Sequence, residues 1–170
     1  MGGLSNMKQL ESFNKYDAIK IIFLDFDGVF TDNKVFVDEQ GREMVCCSRY
    51  DGFGIDYLKS LGIIVAVLTT ETKPIASLRC EKLKINCFDS LQNKLDFAAE
   101  FVRDHSASLS ECAFMGNDMN DLELLKRVLL PIVTIDCHPS VHDSSFYVTI
   151  LPGGSGCIRE LADHFLKNRN

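Results

Sequence analysis

The fold is decided by the stretch IKIIFLDFDGVFTD, residues 19–32. Its first six residues are nearly all β-branched or large and apolar, which predicts a short strand buried on both faces, as in a parallel sheet. Asp25 and Asp27 follow this strand two positions apart, so their side chains start on the same side. Two acids held this close repel each other unless a cation or a proton lies between them. The pair therefore indicates a hard divalent ion with oxygen ligands, most simply Mg²⁺.

Downstream of this stretch, short apolar segments alternate with amphipathic ones. The predicted strands cover residues 63–68, 85–88, 112–115, 130–135 and 146–150. The predicted helices cover residues 51–61, 74–83, 93–103 and 157–167, with a further helix ending at residue 127. Residues 34–47 have the alternation and the central turn of a β-hairpin. The pattern predicts an α/β fold, a doubly wound, mostly parallel Rossmann-like sheet with a β-hairpin flap after its first strand.

Composition and charge narrow the classes of function. The 170 residues are 46% hydrophobic and 25% charged, which is typical of one globular domain, here expected over residues 18–170 after a polar N-terminal extension, residues 1–17. No apolar run reaches the length of a membrane span and the N-terminus lacks a secretory signal, so we expect a cytoplasmic protein. A net charge of −6 without a dense Lys/Arg run argues against nucleic acid or membrane as a partner. This negative charge does not argue against a phosphorylated small molecule as substrate, because a metal ion and a few lysines can form a local positive site on an acidic protein.

Cysteine usage gives little sign of a disulfide framework or of zinc. The chain has seven cysteines and no CxxC pair, which fits a reducing compartment. Cys137, His138 and His142 are close enough in sequence to suggest a zinc site, but a fourth ligand is not evident. A loop that leads into a short helix is the simpler interpretation.

Polar residues follow three more of the predicted strands. Thr69 ends the second strand, and its hydroxyl and the next N–H group could bind a phosphoryl oxygen, although it could also only satisfy the strand end. Lys94 opens a helix, where a cation is unfavourable unless an anion lies nearby, the alternative being an exposed lysine. The segment GNDMND, residues 116–121, places amide and carboxylate oxygens at the same edge of the sheet.

DFDGVFTD, Thr69, Lys94 and GNDMND stand in the order of the four motifs of the haloacid dehalogenase superfamily of phosphohydrolases, and the chain resembles that superfamily. The resemblance implies that Asp25 is the nucleophile, that Asp27 is the general acid and base, and that Thr69 and Lys94 complete the catalytic set. The metal ligands that it implies for Mg²⁺ are Asp25, Asp27 through its backbone carbonyl, Asn117, Asp118 and Asp121. Asn117 departs from the Asp that is common in the family, and this loss of one negative charge should weaken metal binding.

Within the superfamily, the chain resembles the capless branch that includes the 3-deoxy-D-manno-octulosonate 8-phosphate phosphatases, because neither inter-motif segment has room for a cap domain. Thr70-Glu71 stands where those enzymes usually have Gly-Arg, and is similar to nonulosonate 9-phosphate phosphatases and to the phosphatase-like domain of some acylneuraminate cytidylyltransferases. The expected substrate is a nonulosonate 9-phosphate, with an octulosonate 8-phosphate close behind. The candidate substrate-binding residues are Thr70, Glu71, Lys82 and Arg159. The alternative is a catalytically weak oligomerisation module associated with such a cytidylyltransferase.

The capless branch also implies a homotetramer. The hairpin carries the apolar residues Val35, Val37, Met44 and Val45, which are expected to meet the hairpins of other chains. The glycine-rich segment, residues 153–156, is expected near the active site of a neighbouring chain, where its glycines would permit a close approach.

Overall fold

A computed structural model describes residues 14–169, so most of the predicted N-terminal extension lies outside the described residues. In chain order the elements are α1 (Lys15–Ala18), β1 (Ile21–Leu24), β2 (Phe36–Val37), β3 (Glu43–Met44), α2 (Tyr50–Ser60), β4 (Ile64–Leu68), α3 (Ile75–Leu83), β5 (Asn86–Phe88), α4 (Lys94–Asp104), β6 (Cys112–Gly116), α5 (Leu122–Leu125), β7 (Leu130–Val133), α6 (Pro139–His142), β8 (Tyr147–Val148) and α7 (Cys157–Asn168). Two 3₁₀ turns, Leu109–Glu111 and Met119–Asp121, precede β6 and α5. Among residues 14–169, every helix is too short or too polar to cross a membrane.

The central sheet has six strands in the order β5-β4-β1-β6-β7-β8, and all five pairings are parallel. Strand β1 lies between β4 and β6, with Phe23 opposite Ala66 on one side and Phe114 on the other. The predicted doubly wound sheet is confirmed, and each predicted strand is present, several of them shortened at one end. The strand predicted to reach Ile135 stops at Val133 because the chain turns there, which leaves Ile135 exposed.

Successive residues of β1 face the two sides of the sheet, as expected of a strand covered on both faces. Ile22 and Leu24 pack into a core formed with α2, α3 and α7, whereas Ile21 and Phe23 pack against α4 and α5. All four side chains are buried, so the strand that carries Asp25 is fixed from both sides.

The hairpin after β1 is confirmed, with β2 and β3 antiparallel and Phe36 opposite Met44. Val35, Val37 and Met44 are exposed together with Phe36, so the apolar surface predicted for the hairpin is present. Val45 differs from the prediction, because it packs against the main core. The hairpin surface is therefore formed by Val35, Phe36, Val37 and Met44.

The glycine-rich segment packs against the first motif of its own chain. A Cβ atom at Gly153 would overlap the backbone of Gly28 and Thr31, and the N–H of Gly154 donates to the carbonyl oxygen of Val29 at 2.9 Å. The N–H of Gly153 also donates to Asp136 at 3.1 Å. This contact within the chain explains why glycine is required at residue 153, and the predicted approach of the segment to a neighbouring chain stays a prediction.

A buried carboxylate connects α2 to the start of α7. Oδ1 of Asp51 accepts hydrogen bonds from the N–H groups of Ile158 and Arg159, each at 3.1 Å. Oδ2 of Asp51 is also buried and has no hydrogen-bond partner among residues 14–169. Burial raises the pKa of Asp51 to about 6, although the two N–H groups and the Arg79 guanidinium oppose the shift. The carboxylate thus satisfies two N–H groups at the start of α7, but its negative charge is unfavourable in this buried position.

The pH dependence of unfolding tests this account of Asp51. Its pKa is higher in the folded state than in the unfolded state, so the stability that it contributes falls as the pH rises from about 4 to about 6. Asp51→Asn keeps an acceptor oxygen and removes the charge. The free energy of unfolding of the variant, relative to wild type, should therefore rise by about 2 kcal/mol between pH 4.5 and pH 7.5.

Urea titrations at the two pH values measure this difference. The matched control is Asp56→Asn, because Asp56 is exposed on the same helix. A relative stability of Asp51→Asn that does not change with pH would contradict a buried, ionisable Asp51.

Candidate active site

The carboxyl ends of β1, β4 and β6 meet around one cavity of about 310 Å³. Its walls combine residues from three of the four predicted motifs with residues beside them: Asp25, Asp27, Asn33, Thr69, Thr70, Asn117, Asp118 and Asn120. Because parallel strands end at the same edge of the sheet, segments that are far apart in sequence meet here. The structure thus brings together most of the predicted site residues.

Asp25 is held by the strand that precedes it and by a buried cation. Its N–H donates to the carbonyl oxygen of Met115 at 2.9 Å, which continues the pairing of β1 with β6. Oδ1 accepts from the N–H of Phe26 at 2.7 Å and lies 2.7 Å from Nζ of Lys94. Oδ2 accepts no hydrogen bond from residues 14–169. One oxygen is therefore fixed by the protein, and the other is free for chemistry.

Lys94 is buried, which excludes the alternative of an exposed lysine. It is the first residue of α4, and Asn93 caps that helix by accepting from the N–H groups of Leu95 and Asp96. Nζ lies 2.7 Å from Oδ1 of Asp25 and 2.7 Å from Oδ1 of Asp121. Two carboxylates thus offset a cation at the unfavourable end of a helix.

The electrostatics of this cluster favour one more positive charge. Burial lowers the pKa of Lys94, but the carboxylates of Asp25 and Asp121 outweigh this effect and raise it, so Lys94 stays charged. Burial and the Asp121 carboxylate raise the pKa of Asp25, although the Lys94 ammonium opposes the shift. When both carboxylates are ionised, the cluster has a net negative charge that a cation in the cavity would neutralise.

Asp121 lies behind the cavity and not on its wall. Oδ2 accepts from the N–H groups of Asn117 and Asp118 at 2.8 and 3.2 Å, and Oδ1 accepts from Lys94. The side chain is fully buried. Both oxygens therefore already accept hydrogen bonds within the chain, and the metal-binding role of Asp121 stays a prediction. In this structure Asp121 shapes the Asn117-Asp118 turn and positions Lys94.

Asp27 lines the cavity beside Asp25 and is half-buried. Oδ1 accepts a hydrogen bond from the hydroxyl of Thr31 at 3.3 Å. Burial raises the pKa of Asp27, and the Thr31 hydrogen bond opposes this shift. Gly28, next in the chain, has a φ of 76°, and a Cβ there would overlap the side chain of Asn117, so the turn after Asp27 requires glycine twice over.

Thr69 is buried at the end of β4, and its N–H donates to the carbonyl oxygen of Phe88 at 3.0 Å. Its hydroxyl accepts from the N–H of Glu71 at 3.1 Å. This contact folds the Thr69–Glu71 turn so that Thr70 lines the main cavity and Glu71 faces an adjoining one.

The adjoining cavity has a volume of about 250 Å³ and shares Asp27 and Asn33 with the main cavity. Glu71, Glu43 and Lys34 supply its other charged groups. Lys73 forms an ion pair with Glu43, which connects the loop after β4 to strand β3 of the hairpin. The hairpin thus forms one wall of this adjoining cavity.

Two of the predicted substrate-binding residues do not line either cavity. Lys82 is exposed near the end of α3, beside a different cavity that it lines with Arg49 and Arg79. Arg159 lies on α7 and its Nε donates to Asp163 at 2.9 Å. Neither contacts Asp25 within the described residues.

Sequence reasoning missed three residues of the site. Asn33 and Asn120 line the main cavity, and Thr31 contacts Asp27 from behind it. All three lie within or directly beside the quoted motifs, so their closeness to these motifs in sequence could have indicated that they belong to the site. Of the candidate zinc residues, His138 caps the short helix α6, because its Nδ1 accepts a hydrogen bond from the N–H of Ser140. The loop leading into a short helix is therefore present.

Comparison with known proteins gives consistent results. No protein-family model matches the chain. It is 29% identical over 153 residues to the 3-deoxy-D-manno-octulosonate 8-phosphate phosphatase of Salmonella typhi, covering 89% of this chain and 81% of that protein. A HAD family hydrolase from Streptomyces avermitilis superposes with a TM-score of 0.85 at 34% identity, over 87% of this chain and 85% of that one.

A second structure is that of the 3-deoxy-D-manno-octulosonate 8-phosphate phosphatase from Moraxella catarrhalis in complex with magnesium, phosphate and KDO. It superposes with a TM-score of 0.88 at 28% identity and covers 92% of this chain and 90% of that one. The similarity therefore extends over nearly the whole chain in both sequence and structure.

Proposed function

The chain belongs to the haloacid dehalogenase superfamily and is a phosphoric monoester hydrolase, and we propose that it hydrolyses a phosphorylated 2-keto-3-deoxy sugar acid through an aspartyl-phosphate. The observation that carries this proposal is the state of Asp25. One of its oxygens is held by Lys94 and the N–H of Phe26, while the other is free in a cavity that Asp27 and Thr69 also line. A nucleophile and an acid thus face one space, and a cation holds the nucleophile from behind.

Asp25 attacks phosphorus, and the bond between phosphorus and the sugar oxygen breaks, which leaves an acyl phosphate on Asp25. Because Oδ1 is held at 2.7 Å by both partners, the carboxylate approaches in a fixed orientation. Lys94 stays charged next to the group in transfer and offsets part of its negative charge. Thr69 lines the same cavity, where its hydroxyl and the N–H group of the next residue bind the phosphoryl oxygens.

Asp27 handles the protons. A sugar alkoxide is a poor leaving group, so its oxygen takes a proton from Asp27 as the bond to phosphorus breaks. The resulting carboxylate then takes a proton from the water that attacks the acyl phosphate, which restores Asp25 and releases inorganic phosphate. The half-buried position of Asp27 raises its pKa, and this favours the protonated form needed in the first step.

The donor chemistry of the main cavity fits Mg²⁺. Its walls present carboxylate and amide oxygens and no thiol or imidazole, which is the ligand set of a hard cation. Within residues 14–169, no three acidic, imidazole or thiol side chains converge on one point, so neutral oxygens must contribute. The residues that would hold the ion are Asp25, Asp118, the Asn117 amide oxygen and the Asp27 carbonyl. Bound there, Mg²⁺ would neutralise phosphate charge and reduce repulsion between substrate and nucleophile.

The adjoining cavity bears on the identity of the sugar. We place the sugar chain past Asp27, in the cavity that holds Glu71 and Glu43, because this cavity shares Asp27 and Asn33 with the main one. Both carboxylates accept hydrogen bonds from sugar hydroxyls, and Glu71, which forms no ion pair with residues 14–169 whereas Glu43 is paired with Lys73, repels a substrate carboxylate beside it. A nonulosonate 9-phosphate is one carbon longer than an octulosonate 8-phosphate and places its carboxylate farther from the phosphate. We therefore propose a nonulosonate 9-phosphate as the preferred substrate and an octulosonate 8-phosphate as the second.

A catalytically weak oligomerisation module is the second candidate function, and Asn117 is the observation that favours it. Loss of one anionic metal ligand would reduce activity without affecting the fold. The Asp25–Lys94 pair and the open position of Asp27 argue for the phosphatase.

A panel of phosphorylated keto-sugar acids, assayed for inorganic phosphate with Mg²⁺ present, tests the function. We expect kcat/KM to be highest for a nonulosonate 9-phosphate, followed by an octulosonate 8-phosphate. Asp25→Asn keeps the volume and removes the attacking charge, so turnover should fall by roughly 10³-fold or more. Substantial turnover by Asp25→Asn would refute the aspartyl-phosphate, and an enzyme inactive on every sugar acid would support the module instead.

A second test addresses the metal. Asn117→Asp restores an anionic ligand and should lower the Kd for Mg²⁺ by about tenfold, equivalent to roughly 1.4 kcal/mol. Calorimetric titration with Mg²⁺ measures this change. Asn120→Asp is the matched control, because it adds the same charge at another residue that lines the same cavity. An equal gain in both variants would mean a general charge effect, and no gain in Asn117→Asp would exclude residue 117 as a ligand.

We also propose that the chain forms a homotetramer through the hairpin surface, whose Val35, Phe36, Val37 and Met44 are exposed. Light scattering should give a mass near four chains of 19.1 kDa each. Val37→Asp should lower that mass, whereas Leu166→Asp, at an exposed position on α7, should not. A fully active monomer in dilute solution would contradict this assembly.

A further inference from the structure

Thr31 is buried directly behind the proposed general acid. Its hydroxyl is the one group among residues 14–169 that donates a hydrogen bond to the side chain of Asp27. We propose that Thr31 is a positioning residue that fixes which oxygen of Asp27 carries the transferred proton. This inference rests on the proposed function, in which Asp27 protonates the leaving oxygen.

The hydrogen bonds that the Thr31 hydroxyl accepts determine which group its proton is donated to. A threonine hydroxyl has one proton and two lone pairs. The N–H groups of Gly28 and Asn33 both donate to this oxygen, each at 3.2 Å, and so occupy both lone pairs. The proton is left for Oδ1 of Asp27, which lies 3.3 Å away. The hydroxyl therefore acts toward Asp27 as a donor and not as an acceptor.

This donation assigns separate roles to the two oxygens of Asp27. Oδ1 accepts from Thr31, so in the neutral acid it is the carbonyl oxygen, and the acid proton is on Oδ2. Oδ2 accepts no hydrogen bond from residues 14–169 and belongs to a side chain that lines the cavity. When the bond between phosphorus and the sugar oxygen breaks, that oxygen keeps the electron pair and takes the proton from Oδ2. The Thr31 hydrogen bond then stabilises the carboxylate that remains.

Thr31 also connects Asp27 to the turn that shapes the cavity. Gly28 and Asn33 both have left-handed backbone conformations, with φ of 76° and 60°. Because the same hydroxyl accepts from both residues, the orientation of Asp27 is fixed relative to Asn33 on the cavity wall. The backbone of Thr31 is held separately, by its N–H donating to Phe26 and by a β-bridge to Cys47. The turn should therefore persist when the hydroxyl alone is removed.

The test compares a poor and a good leaving group. Thr31→Val is nearly isosteric and replaces the hydroxyl with a methyl group, which also removes the acceptor for the N–H groups of Gly28 and Asn33, whereas Thr31→Ser keeps the hydroxyl. With a sugar-acid phosphate, whose alkoxide needs the proton, Thr31→Val should lower kcat by about ten- to hundredfold with little change in KM. With p-nitrophenyl phosphate, whose leaving group departs without a proton, the loss should stay below about threefold. Thr31→Ser should restore the sugar-acid rate, and Thr31→Ala replaces Thr31→Val if that variant does not fold.

Two results would overturn the inference. An equal loss of kcat on both substrates would assign Thr31 a purely structural role. An unchanged kcat of Thr31→Val on the sugar-acid phosphate would show that Thr31 does not assist the reaction. Failure of the proposed function looks different, because wild type would then hydrolyse no sugar-acid phosphate. In that case an alkyl phosphate that wild type does hydrolyse replaces the sugar-acid phosphate. The effect of Thr31→Val on it is compared with the effect on p-nitrophenyl phosphate, so the role of Thr31 is still decided.

Discussion

The buried ion cluster of Lys94 with Asp25 and Asp121 is the interaction on which the rest of the site depends. Removing one member of a buried ion pair leaves an uncompensated charge, which typically destabilises a protein by about 3–5 kcal/mol. The three residues come from the end of β1, the start of α4 and the turn after β6. The cluster therefore forms only when the sheet and its helices are in register. The orientation of the nucleophile thus depends on the packing of these elements.

The first motif is supported from behind by residues that follow it by more than a hundred positions. The hydroxyl of Thr134, after β7, donates to the carbonyl oxygen of Gly28 at 3.3 Å. Gly154 donates to Val29, and Gly153 packs against the same turn. These contacts satisfy the carbonyl groups of a tight turn that faces the cavity on its other side. The C-terminal segment thus contributes to the active site without lining it.

Much of this arrangement was predictable from the sequence, because the signals were strong. The apolar run before Asp25 predicted the central strand, and polar residues at successive strand ends predicted where the site lies. What sequence spacing does not give is the direction of a side chain. Asp121 is close to Asn117 in the chain yet faces Lys94, and Arg159 pairs with Asp163 on its own helix. The contact of residues 153 and 154 with the Gly28 turn was not predicted, because the two segments are so distant in sequence.

The ion pair between Glu43 and Lys73 has a consequence for how assembly and ligand binding relate. The hairpin carries an exposed apolar surface, and its Glu43, Val35 and Val45 also form a wall of the cavity beside Asp27. A contact that shifts the hairpin from outside must shift that wall as well. Thermodynamic linkage is reciprocal, so a ligand that prefers one position of the hairpin also prefers the association state that holds it there. Association of the chains and binding of a ligand beside Asp27 would then be coupled, so that each one shifts the equilibrium of the other.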